Sequence, residues 1–343
     1  MKKLRVAIAG YGVVGKRRHH FINMHENLTV IALCEQNFKN SSLKVNGINC
    51  YTDYKDLLKN EDLDVIFICL TNNIAAEVTI SSLKKGLHVF CEKPPGMSVE
   101  EIREVIDVEK SYPNLKLKYG FNHRYHQSVQ KALDLIKSEK LGKIINLRGV
   151  YGKSMIVPFS GGWRSNRQQA GGGILLDQGI HMLDLMRLFC GEFIEIKSFV
   201  SNDFWNHDVE DNAYAIMKDK KGRVAMLNSS ATQWQHKFNL EISLSKGHIE
   251  LHGILSGSKS YGEERITIGA KNKENTSGLM ETKTIKFLED NSWKDEIFEF
   301  ATAIINDLPI ESGSSYDALE TMKLVFGIYY SDDIWRNKYD IKI

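Results

Sequence analysis

Two rhythms of apolar and polar positions divide this chain. Over residues 1–122, short continuous apolar runs alternate with stretches of helical period. LRVAIAG is followed by a helical stretch from Lys16, TVIALCE by one around Tyr54–Leu58, DVIFICLT by Ala75–Lys85 and LHVFCEKP by Val99–Glu109, and LKLKYGFN ends the series. Strands apolar on both sides are what a sheet needs when helices cover both of its faces. The βαβα order therefore predicts an α/β domain built on a doubly wound parallel sheet.

From about residue 123 the rhythm changes. A helix over Gln127–Glu139 leads to KIINLRGVYG, a glycine-rich segment and a helix over Ile174–Phe189. IEIKSFVS, NAYAIMKD, RVAMLNSSA, FNLEISL, HIELHG, RITIG and TKTIKF then follow at hairpin spacing, with turns at Asp219-Lys220-Lys221-Gly222 and Ser245-Lys246-Gly247. This predicts a second, α+β domain over 123–343 with a largely antiparallel open sheet. Its closing helical segments, Trp293–Asn306 and Ser314–Ser331, are expected to pack back toward the first domain. The boundary near residue 122 has no Gly/Pro linker, so a packed hinge is expected.

Composition narrows the partners. At 343 residues the chain fits two domains of about 100–200 residues each. A formal net charge of +2 gives no general reason to expect nucleic acid or a membrane surface as partner, and the basic cluster KRRHH (16–20) is too short to change that. Five cysteines without CxxC spacing, three of them in apolar runs, suit reduced thiols in the cytoplasm better than a disulfide framework. The apolar run after Met1-Lys2-Lys3 is far shorter than a membrane span and is read as the first strand.

The first motif with chemistry is Gly10-Tyr11-Gly12-Val13-Val14-Gly15, between the first strand and its helix. The first glycine makes the tight turn, the second lets backbone approach a pyrophosphate, and the third lets helix and strand pack closely. The helix N-terminus offers free N–H groups and a positive dipole end to the phosphates. Glu35, twenty residues beyond Gly15 at the end of the second strand, suits a ribose 2′-hydroxyl and repels a 2′-phosphate. That favours NAD, while Lys39 nearby keeps NADP open.

Three segments in order, GYGVVG, CEKPPG (91–96) and GGGILLDQGIHMLD (171–184), resemble the Gfo/Idh/MocA family of NAD(P)-dependent oxidoreductases, which act mostly on sugars, cyclitols and sugar nucleotides. The C-terminal stretch from FATAIINDLPIESGSSYDALETMKL to FGIYYSDD is similar as well, so the resemblance runs nearly end to end. It implies hydride transfer between nicotinamide C4 and a hydroxyl-bearing carbon, and a catalytic trio of Lys93, Asp177 and His181. Glu92 and Lys93 would lie beside the nicotinamide, and the Lys93 ammonium would stabilise alkoxide character on the reacting oxygen. The Lys–Pro bond is often cis in that family, which leaves the same bond open at Lys93–Pro94. His181 would exchange the proton, its unperturbed imidazole titrating near ~6.5. Asp177, four residues earlier and so on one helical face, would orient the imidazole or bind a substrate hydroxyl, with Asp184 a competitor for the orienting role. A structural Asp/His contact gives the same spacing. A metal site would need a third ligand, which the sequence does not offer, so no metal is expected.

Asn122, Arg124 and Tyr125 are candidate substrate contacts, and Arg124 would suit a carboxylate or phosphate on a sugar. An interdomain salt bridge is the competing use of that arginine. Trp163, Arg164 and Arg167, in the loop before the catalytic helix, could cover an anionic substrate. One departure matters: many family members read Thr-Pro-Asn followed by a histidine after the third strand, whereas here Thr71-Asn72-Asn73 lacks both. Thr71 and Asn72 remain candidate cofactor contacts. Two rival functions stay open: a redox-neutral NAD-dependent glycosidase on the same fold, and a non-enzymatic dinucleotide-binding regulator, against which the trio argues. The resemblance further implies a homodimer or homotetramer through the open sheet face.

Overall fold

The structure, a computed structural model, describes residues 3–38, 44–45, 47–157, 162–256, 259–270 and 281–342. Lys39, which entered the NADP reading, lies outside the described residues. By internal contacts the chain divides into two compact units. The first takes the N-terminal part up to Asn122 with Gln168–Gly171 and Trp293–Leu319, and the second takes His123–Arg167, Gly172–Ser292 and Glu320–Ile343.

In the first unit the order is β1 (Leu4–Ala9), α1 (Val13–Ile22), β2 (Leu28–Cys34), β3 (Lys44–Val45), β4 (Ile48–Tyr51), α2 (Tyr54–Asn60), β5 (Val65–Ile68), α3 (Asn72–Lys84), β6 (His88–Cys91), α4 (Val99–Glu109) and β7 (Leu117–Tyr119). The strands lie in the order β3-β4-β2-β1-β5-β6-β7. All pair parallel except β3 with β4. The sheet core is apolar throughout: Val6, Ile8, Val65, Phe67 and Phe90 are fully buried, and Ile297, Phe300 and Ala301 pack against them. Strand order reverses at β1, and in such sheets the crevice beyond the strands' carboxyl ends at that point takes the ligand.

Helix starts differ from expectation at two places. Helix α1 begins at Val13, not Lys16, with Gly12 as its N-cap, and α3 begins at Asn72 after Thr71. Both extra turns lie at the sheet's carboxyl end, where apolar periodicity is interrupted by residues that serve the loop. Ser98 caps α4 by accepting from Glu101 N at 3.2 Å, and Glu101 accepts from Met97 N at 2.7 Å. This reciprocal cap fixes the turn that follows Lys93.

The second unit contains α5 (Gln127–Lys137), β8 (Ile144–Ser154) and α7 (Ile180–Cys190), while the four-residue α6 (Arg167–Ala170) belongs from Gln168 on to the first unit. Then come β9 (Phe193–Ser201), β10 (Asn212–Asp219), β11 (Val224–Gln233), β12 (Lys237–Leu244), β13 (Gly247–His252), β14 (Glu264–Ala270) and β15 (Thr282–Phe287). The chain continues through α8 (Ser292–Ile305), α9 (Ser315–Ser331) and α10 (Asp333–Tyr339). The sheet order is β15-β14-β13-β12-β8-β11-β10-β9, antiparallel except for the parallel pair β8 and β11. Burial alternates strictly along β10, as a sheet with one covered face requires. Strands β3 and β4 and helices α6 and α10 are elements the sequence pattern missed; Asp332 starts α10 by accepting from Trp335 N at 2.8 Å.

Ile174–Phe189 does not form the plain α-helix expected. Leu175–Gly179 is a π-helical turn that runs on into α7. The wider turn has Asp177 at its middle, and such turns are frequent at functional sites. Among the described residues, no helix is long and apolar enough to cross a membrane.

Candidate active site

The first unit carries a dinucleotide cradle. Gly10 has φ of +91°, and a Cβ there would stand 2.2 Å from the Cys69 carbonyl oxygen. A Cβ on Gly15 would stand 2.0 Å from the Gly10 oxygen, so both positions admit glycine alone. At Gly12 a Cβ would meet nothing within 4 Å. No side chain caps α1, whose i→i−4 bonding begins with Lys16 N to Gly12 O at 3.0 Å, so the N–H groups of Val13, Val14 and Gly15 are available to a ligand oxygen. Open space at the middle glycine, closed space at the other two and an uncapped helix fit a bound pyrophosphate.

Glu35 lies beside this loop. Its Oε2 accepts from Tyr11 N at 3.0 Å, and its Oε1 accepts from Asn37 N at 3.3 Å and Asn37 Nδ2 at 3.1 Å. The carboxylate is thus held just past the end of β2, beside the glycine loop. Tyr11 packs its ring against Phe38, and its hydroxyl is 2.6 Å from His19 Nδ1. Thr71 donates to Asn73 Oδ1 at 2.7 Å. Asn72 is buried and donates its amide to the Ala170 carbonyl at 2.7 Å, so that amide N–H is held by the chain itself.

Lys93 follows β6 and is partly exposed, and the Lys93–Pro94 peptide is cis. The residue before it is tied down by an interaction the sequence reading missed. Glu92 Oε1 accepts from Arg18 Nε at 2.6 Å, and Arg18 Nη2 stands 2.7 Å from Glu296 Oε2. Gly120 makes room for this network: a Cβ there would lie 2.9 Å from Glu92 Oε2 and 3.1 Å from Arg18 Nη2. A signal for Arg18 existed, since Val14, Arg18 and Ile22 follow at i, i+4, i+8, which places a charge on the inward face of α1.

The second unit carries the acid/base candidates. Asp177 accepts from Lys153 Nζ at 2.9 Å and has Arg164 Nε 3.6 Å away. His181 is buried, its ring stacked on His123 at a centroid distance of 3.7 Å. Neighbouring Gln178 donates to the Tyr261 hydroxyl at 2.7 Å. The segment's start is set by buried Glu210, which accepts from Gly173 N at 2.7 Å, Leu175 N at 2.9 Å and Tyr329 Oη at 2.6 Å. Burial raises the pKa of the Glu210 carboxyl, and the Tyr329 hydroxyl and the Gly173 N–H pull it back.

Arg124 is placed otherwise than expected. It is 3% exposed and grips Asp184 with both Nε (2.7 Å) and Nη2 (2.6 Å), while Thr321 Oγ1 also donates to Asp184. The pair is internal to the second unit, and it gives both the proposed substrate arginine and the proposed orienting Asp184 a structural role. Asn122 is buried and Tyr125 partly so. Arg164 stacks over Trp163 at 4.3 Å, and Arg167 over Tyr339 at 4.1 Å. Among the described residues, no group of three or more His, Cys, Asp or Glu side chains is arranged to hold a metal ion.

Residues 4–121 match the model of the oxidoreductase family with NAD-binding Rossmann fold, and residues 129–250 match the GFO/IDH/MocA C-terminal domain. D-glucoside 3-dehydrogenase of Escherichia coli (strain K12) is 29% identical over 250 residues, 66% of this chain and 70% of that protein. Myo-inositol 2-dehydrogenase of Thermotoga maritima is 24% identical over 255 residues, 72% and 74% of the two chains. A levoglucosan dehydrogenase solved with NADH and L-sorbose has the same fold, with TM-score 0.84, 19% identity and 98% of each chain covered. Myo-inositol 2-dehydrogenase from Lactobacillus plantarum superposes at TM-score 0.78 with 25% identity over 97% of this chain and 98% of that one. With its glycine cradle and both family domains in place, the chain belongs to the Gfo/Idh/MocA family of NAD(P)-dependent oxidoreductases.

Proposed function

We propose that this enzyme oxidises a ring hydroxyl of a sugar or cyclitol, or reduces the matching keto-sugar, with His181 as acid/base, Lys93 polarising the reacting oxygen and Asp177 binding a substrate hydroxyl. The nicotinamide, when bound, accepts or returns the hydride. The observation that carries the reading is the helical run after Gly173, in which a partly exposed carboxylate and a buried imidazole stand four residues apart. An imidazole titrating near neutrality can take the hydroxyl proton as hydride leaves. An ammonium at Lys93 stabilises the developing alkoxide. Asp177 beside Lys153 offers an acceptor and a donor to neighbouring hydroxyls, which is how a polyol is recognised without net charge.

With its guanidinium held by Asp184, Arg124 gives little support to an anionic sugar. A neutral sugar or cyclitol fits better, in line with relatives named for glucosides and inositol. Five free cysteines, four of them buried, support a reducing compartment such as the cytoplasm. The outer face of the second unit's sheet supports self-association: Phe199 faces Tyr214, and Ile216 faces Met226, all four exposed.

The test is absorbance at 340 nm with NAD⁺ and NADP⁺ against inositols, glucosides, anhydrosugars and nucleotide sugars, and with NADH against keto-sugars. Activity that falls by about 10²–10⁴-fold in His181→Asn, with NADH binding retained, supports the assignment. Full activity in that variant removes His181 from it. Redox-silent cleavage of an aryl glycoside that requires NAD⁺ would favour the glycosidase instead.

A further inference from the structure

The closely stacked partner of His181 is a second histidine that the proposed chemistry has not used. The planes of His123 and His181 differ by 12° at 3.7 Å, and the two residues are only 7% and 4% exposed. Either ring can carry a proton. Two imidazolium cations this close and this far from water repel strongly, so the doubly charged pair is disfavoured.

The surroundings decide which ring holds the shared proton. His123 Nε2 is 3.0 Å from the Tyr151 hydroxyl on β8. Burial holds the Tyr151 phenol well above its ordinary pKa, so it stays protonated, with an oxygen lone pair to accept from an imidazolium. The edge of His126 meets His123 at 5.5 Å, and His126 Nδ1 is 2.7 Å from the Glu264 carboxylate on β14. Phe238 of β12 closes the apolar side at 6.0 Å. The adjacent Arg124 is neutralised by Asp184 of α7. Along the helix from His181, Asp177 is balanced by Lys153 and Arg164. Negative and lone-pair groups therefore gather on the His123 side.

We propose that His123 is a positioning residue for His181: its stack fixes the plane of the catalytic imidazole, and its preference for the single shared proton keeps His181 able to accept one. The inference rests on the reading of His181 as acid/base. Its consequence is that the pair titrates in two separated macroscopic steps, not as two independent histidines.

The test is an NMR titration of ¹³Cε1-histidine-labelled full-length protein, with His181 assigned by loss of its signal in His181→Asn. In the wild type, His181 is expected to protonate in the second step. In His123→Phe, which keeps a flat ring without a titrating group, its midpoint rises by about one pH unit or more, a tenfold shift. The acid limb of kcat/KM for the oxidation moves the same way. If His123→Phe does not fold, Tyr151→Phe keeps both imidazoles and removes the hydroxyl, and it should raise the His181 midpoint by drawing the shared proton toward it. A single independent step for His181 in the wild type, or the same midpoint in every variant, overturns the inference. Full activity in His181→Asn together with a coupled titration would sink the acid/base reading and leave the coupling standing.

Discussion

Arg18 and Glu92 meet at 2.6 Å across 74 residues of sequence, joining the first helix to the residue immediately before Lys93. The guanidinium is fully buried and lies between the rings of Phe90 and Trp293, 4.4 Å from each centroid. With Glu296 on its other side, one cation serves two carboxyl groups. Replacing Arg18 with Met leaves both carboxyls without it. The expected loss is about 3–5 kcal/mol, since removing one partner strands a buried charge. Arg18→Lys should recover only part, because an ammonium cannot reproduce the guanidinium fork. Urea unfolding midpoints check both, and an unchanged midpoint in Arg18→Met would mean the network is not structural.

Glu296 adds a pH dependence. Burial pushes its carboxyl up to about 7, with Arg18 and Lys118 pulling it down and Glu92 adding to the rise. An unfolded glutamate titrates near ~4.3, so the folded state binds this proton more tightly. The contribution is therefore complete below the unfolded value and is lost as pH rises through about 7. Glu296→Gln, neutral at every pH, should reduce the stability difference between about pH 5 and pH 8 by up to about 3 kcal/mol. Equal pH profiles of stability in the variant and the wild type would refute it.

The glycine cradle separates stability from binding. Gly12→Ala adds a Cβ into open space, so stability should change by no more than about 1 kcal/mol. The same methyl occupies room a phosphate needs, and the NADH Kd should rise by about tenfold or more, 1.4 kcal/mol. Gly15→Ala drives its Cβ against the Gly10 carbonyl and should cost about 2–3 kcal/mol of stability. Thermal melting and NADH fluorescence titration give the two readouts, and tight NADH binding by Gly12→Ala would place the pyrophosphate elsewhere.

Glu35 should set the choice of cofactor. If Glu35 faces the ribose as the sequence motif implies, Glu35→Ala removes an acceptor for its 2′-hydroxyl and a charge that would repel a 2′-phosphate, and it releases Tyr11 N. The ratio of kcat/KM for NAD to that for NADP should fall by about tenfold or more. A ratio that does not move would assign the preference to another group on the loop.

The sequence by itself determined much of this protein. Continuous apolar runs, the amphipathic stretches between them and the later strands at hairpin spacing are local physics, and they specify strands, helices and the change of rhythm after Asn122. GYGVVG and Glu35 were legible because the chemistry of a pyrophosphate cradle needs small residues at set spacing in one continuous stretch. Asp177 and His181 were candidates from helical spacing and from the resemblance together, and their roles stay part of the proposal. Tertiary structure decided what depends on residues distant in sequence. It paired Arg124 with Asp184, brought Arg18 and Glu296 to Glu92, stacked His123 on His181 and set Asp177 within a π turn. In each case a buried charge, ring or backbone turn is stabilised by a partner that local sequence does not name, because the cost of burying it is met only once the chain has folded.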